Sequence, residues 1–125
     1  MKTTLLLILL LMAVPPASAD TMSCNVGGKA LFTLIELDTA SKQVVMTDTF
    51  GKETKGKITS VRAAGSGKNR FNVAFEYRLN DTPTFFDMII VPVSEEGYSV
   101  GMAGYIRQGR NKVLEATSKD EAMCF

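Results

Sequence analysis

Gly65-Ser66-Gly67-Lys68 is the run in this chain that most invites a chemical reading. A phosphate-cradling loop needs Gly, four residues, Gly-Lys and then Ser or Thr opening a helix. Here Lys68 is followed by Asn69 and a strand-like stretch, so that reading fails. What remains is a glycine-flanked basic segment, which either simply joins two strands or projects a basic tip into a partner. From Lys52 to Arg70 the basic residues Lys52, Lys55, Lys57, Arg62, Lys68 and Arg70 stand against Glu53 alone. Carried on neighbouring loops, they would make one end of the molecule positive and suit an acidic cleft in another protein.

Other chemistries are narrowed by composition. The chain holds no histidine and no tryptophan, which excludes histidine triads, histidine metal sites and histidine general bases. Its carboxylates fall mostly at turns or on outward strand positions, and a solvated surface fits them better than a hydrolytic pair. Met22, Met46, Met88, Met102 and Met123 are scattered singly, as core fillers are, and not clustered as copper ligands. Cys24 and Cys124 have no third cysteine to join them in a metal site, so in an oxidising compartment they pair with each other. Closing a loop of about 100 residues in this way stabilises a fold by roughly 4 to 5 kcal/mol on the chain-entropy account. Asn80-Asp81-Thr82 is formally a glycosylation sequon, with Pro83 against its use. No metal and no cofactor is expected.

The first residues give an address. Lys2, an apolar run from Leu5 to Val14 and the small residues Ala17-Ser18-Ala19 have the layout of a secretory signal peptide over residues 1–19. The apolar run is too short for a membrane span. Cleavage after Ala19 would leave one domain, residues 20–125, in the periplasm or secreted. Loss of Lys2 makes basic and acidic residues equal in number, so binding to nucleic acid or an anionic membrane has no electrostatic support.

Strands must position whatever this domain uses. Phe71, Val73, Phe75, Tyr77 and Leu79 alternate with Arg70, Asn72, Glu76 and Arg78, which predicts a strand with a core side and a wet side. Asn80 to Pro83 supplies a turn and Thr84 to Val91 a returning strand. The same reading places strands at Ala30 to Leu37, Gln43 to Asp48, Ile58 to Val61, Tyr98 to Ile106 and Lys112 to Thr117. Thr49 to Lys57 reads as a solvated connection, Arg62 to Asn69 as the longest loop, and Ser118 to Met123 as a short helical turn. The fold class is therefore all-β: a single antiparallel barrel or sandwich of about seven to eight strands, its termini joined by a disulfide.

A signal peptide, about a hundred residues of antiparallel strands, terminal cysteines and no histidine together resemble the small periplasmic lysozyme inhibitors. Ala64 to Phe71 is similar to the loop that those proteins place in the enzyme's carboxylate cleft, with Ser66, Gly67 and Arg70 on matching residue types and Lys68 adding charge. One extra residue separates Gly67 from Arg70, and Phe71 stands where Tyr is usual. Related in logic are periplasmic immunity proteins that neutralise a wall-degrading toxin. The resemblance implies a non-enzymatic inhibitor, monomeric or homodimeric, whose partner is a peptidoglycan hydrolase or toxin met through Ser66, Gly67, Lys68 and Arg70. The alternative is a lipocalin-like carrier of a small apolar ligand, though the chain's aromatic residues are numerous enough to fill so small an interior.

Overall fold

Side chains of alternating character make the wall of this molecule. The computed structural model describes residues 21–28 and 30–125; the expected leader lies outside the described residues. Eight strands follow one another: β1 Thr21–Val26, β2 Phe32–Asp38, β3 Gln43–Asp48, β4 Glu53–Gly65, β5 Lys68–Leu79, β6 Thr82–Pro92, β7 Gly97–Gln108 and β8 Asn111–Cys124. Each pairs antiparallel with the next, and β8 returns to β1, so the sheet closes as a barrel. Closure places Cys24 directly opposite Cys124, and the two form a disulfide. The described residues contain no helix, and so none that could cross a membrane.

On β5, Phe71, Val73 and Phe75 are buried, with Tyr77 and Leu79 packed against the core behind them. Phe86, Met88 and Ile90 of β6 meet them in register: Phe75 is opposite Phe86 and Val73 opposite Met88. Phe32, Ile35, Leu37, Val44 and Met46 fill the far side. The interior is held by aromatic geometry as well as area, for Phe75 stacks on Phe86 at 5.1 Å while Phe32 meets Phe75 edge-on at 5.5 Å. Lys55, Lys57, Glu76, Asp87, Lys119 and Glu121 stand exposed on the outside.

Three expectations are corrected. Thr49 to Lys57 is not a connection, because β4 begins at Glu53. Its inner row opens with Thr54 and Gly56, and a methyl group on Gly56 would come within 3.1 Å of Met46 and Phe75, so large neighbours require the small residue that hid the alternation. Arg62 to Asn69 is no loop but a hairpin in which Ser66 and Gly67 alone turn the chain. Ser118 to Met123 is strand, held against β7 from Met102 opposite Ser118 to Gly97 opposite Met123. The strand missed entirely is β1.

The small residues of β7 mark both a kink and a close approach. The register shifts between Gly104 and Tyr105, and a Cβ on Gly104 would lie 2.6 Å from the Phe86 ring. That ring cannot retreat, because Phe75 stacks on its face. Gly104→Ala is therefore expected to destabilise the protein by about 1 to 3 kcal/mol. Gly101→Ala, on the outer row with nothing within 4 Å of a new methyl, should change stability by less than about 0.5 kcal/mol. Urea denaturation of the two variants makes the comparison, and equal midpoints would show that Gly104 is not a packing requirement.

Candidate functional site

The β4–β5 hairpin runs past the end of β3. Gln43 is opposite Lys57, so the part of β4 beyond Ile58 has only β5 as a ladder partner. Ile58 N–H donates to Lys42 O at 2.9 Å, and beyond that bond the hairpin leaves the wall. Its tip is a two-residue turn. Ser66 at φ 54° and Gly67 at φ 71° both lie in the left-handed region, the pattern of a type I′ turn whose twist matches that of the flanking strands. Serine rarely adopts this conformation. A bulge between Ala63 and Gly65 precedes the turn.

Of the residues singled out in the sequence, Ser66 and Gly67 are exposed at the tip, while Lys68 is half-buried and occupied. Its ammonium donates to Ser94 O at 2.8 Å and sits 5.7 Å from the centre of the Tyr98 ring. Lys68 thus straps the hairpin to the turn between β6 and β7. That turn is itself closed, for Ser94 Oγ accepts from Gly97 N–H at 3.0 Å and Val93 N–H donates to Gly97 O at 2.9 Å.

Arg70 lies on the outer side directly opposite Arg62. Like charges at directly opposed positions repel. Arg70 Nε is buried with no hydrogen-bond partner. Lys55 and Lys57 continue the same outer row of β4, so the cations form a stripe up one strand and are not gathered at one end. Lys52 stands apart at the opposite end of the barrel. Its backbone N–H, with that of Phe50, donates to Asp48 Oδ1, both at 2.9 Å. Asp48 is 9% exposed and closes that turn.

Beside the β6–β7 turn lies an open apolar groove that sequence reasoning missed. Val93, Met123 and Phe125 are 64%, 49% and 69% exposed along it, with Glu95, Glu96 and Glu121 at its sides. Val93 is far in sequence from Met123 and Phe125, so no local pattern joins the three. Hairpin and groove meet through Lys68 and Ser94 at one end of the barrel. Among the described residues no three cysteine, aspartate or glutamate side chains gather closely enough to hold a metal ion. No family model, curated protein or solved structure matches the chain.

Proposed function

We propose that this is an exported, non-enzymatic binding protein that inhibits a cell-wall hydrolase by setting its β4–β5 hairpin into the enzyme's acidic cleft. The observation that carries the reading is the Arg62/Arg70 pair at the root of a projecting two-residue turn. Held alone, the pair repels itself and leaves Arg70 Nε unbonded. A cleft with catalytic carboxylates would offset the repulsion, since a guanidinium meets a carboxylate through two parallel hydrogen bonds. Gly67 lets the turn approach the cleft wall closely, and Ser66 offers one further hydrogen bond. Lys68 serves the hairpin as its strap to Ser94.

A carrier with its ligand inside the barrel is less well supported, because Phe32, Phe75, Phe86, Met46 and Met88 already occupy that space. The test is inhibition of a panel of muramidases, lysozyme-like and toxin-derived, by wild type and by the Arg62→Ser/Arg70→Ser variant. Truncating one partner of a buried charge pair removes about 2 to 5 kcal/mol of binding, so inhibition should be lost with the melting temperature nearly unchanged. Lys68→Met should weaken inhibition less, by loosening the hairpin. Failure to inhibit any enzyme of the panel, or equal inhibition by the double variant, would overturn the proposal.

A further inference from the structure

The barrel wall is incomplete on one side. β1 and β8 pair over Cys24 with Cys124, Asn25 with Met123 and Val26 with Ala122. The last link is the bond from Gly27 N–H to Glu121 O at 3.0 Å. From Asn111 to Asp120 no strand of the described residues lies on that side of β8. A cavity of about 280 Å³ fills the opening, reaching inward to Phe86 and Met102 and bordered by Leu31 and Leu79.

The inner row of β8 is poor in apolar bulk. Counted back from buried Cys124 and Ala122, it reads Asp120, Ser118 and Ala116, where the other strands carry mainly Phe, Ile, Val and Met. Asp120 stands opposite Val100, which is 1% exposed. One of its oxygens, Oδ2, is buried and has no hydrogen-bond partner. An acceptor removed from water and left unbonded costs stability. Asp120 itself lines the cavity, whose floor is apolar.

We propose that this opening binds a small organic ammonium ion. Its alkyl or aryl body lies on Phe86 and Met102, and its protonated nitrogen pairs with the Asp120 carboxylate. The unpaired edge of β8 presents backbone carbonyls to the remaining N–H groups, since an ammonium has three donors and no acceptor. A cavity of about 150 Å³ holds benzene, so this one takes a ring with a short aminoalkyl arm. The low dielectric of the wall strengthens the charged contact and rejects an anion of the same shape. This site lies toward the end of the barrel away from the β4–β5 tip, and it stands or falls independently of the hairpin reading.

The test is an NMR titration of the folded, disulfide-bonded protein with phenethylamine, phenethyl alcohol and hydrocinnamate at neutral pH and millimolar concentration. Phenethylamine should shift the Ala116, Ser118 and Asp120 amide signals and the Met102 methyl signal, binding about tenfold or more tighter than the alcohol. Hydrocinnamate should not bind. Asp120→Asn keeps the shape of the side chain and should erase the preference for the amine. Ala116→Phe fills the opening and should abolish binding of both amine and alcohol. The proposal is overturned if the amine shifts none of these signals, if amine and alcohol bind wild type equally, or if Asp120→Asn retains the preference.

Discussion

Replacing Cys24 and Cys124 together by alanine should lower the stability of the barrel by about 4 to 5 kcal/mol, a fall in melting temperature of roughly 20 to 30 °C. The disulfide spans a sequence separation of 100 residues, so on the chain-entropy account it restricts nearly the whole described chain in the unfolded state. Its place in the fold adds to this. The seam between β1 and β8 is the shortest ladder in the wall, and the disulfide lies in its register. Without the covalent link, β1 and the end of β8 should open first, exposing Tyr98 and Ala122. Calorimetry of the double variant gives the loss, and hydrogen exchange at Asn25 and Met123 gives its location. A melting temperature within a few degrees of wild type would show that ladder and core close the barrel unaided.

Phe75→Ala should cost about 3 to 5 kcal/mol. Phe75 is 6% exposed, stacks on Phe86 and meets Phe32 edge-to-face, so its removal leaves a hole bounded by two rings that keep only Tyr77 as an aromatic partner. The ring of Phe86 is backed by Gly104 and has little freedom to collapse into that space. Asn72→Ala, on the outer row of the same strand, is the control. It should change stability by less than about 0.5 kcal/mol. Equal denaturation midpoints for the two variants would mean that the faces of β5 are assigned the wrong way round.

β5 was legible because its two rows contrast: large apolar groups stand on one side and mainly charges or amides on the other, over enough residues that the period of two is unmistakable. β6 was legible as a strand from its β-rich composition and the turn before it, since its outer row holds Phe85 and Ile89 beside Asp87. β4 was legible only in part. Its inner row begins with Thr54 and Gly56, and Gly56 is small because Met46 and Phe75 approach it from other strands, neighbours not adjacent to it in sequence. β8 was cut short for a related reason: Ala116, Ser118 and Asp120 line an opening and not a core, so they lack the apolar character that marks an inner row. The signal that would have found Asp120 is Cys124. With its pairing given, counting back by twos puts Asp120 on the inside.

The candidate hairpin divides in the same way. Its glycines, its basic residues and its position before the strongest strand are all visible in the chain, and so is the absence of histidine chemistry. The engagement of Lys68 by Ser94 O, the opposition of Arg62 and Arg70, and the groove under Val93, Met123 and Phe125 are not.

By itself, the sequence determined an all-β domain, the core face of β5, and the partner of each cysteine, since two cysteines allow one pairing. These follow from local alternation and from counting. Closure of the sheet into a barrel, the register that sets arginine against arginine, and the opening beside β8 were decided only by the tertiary structure. A strand's own residues report whether each face meets water or hydrocarbon. Which neighbour fills a space, and which charge or acceptor is left without a partner, depends on side chains brought together from across the chain.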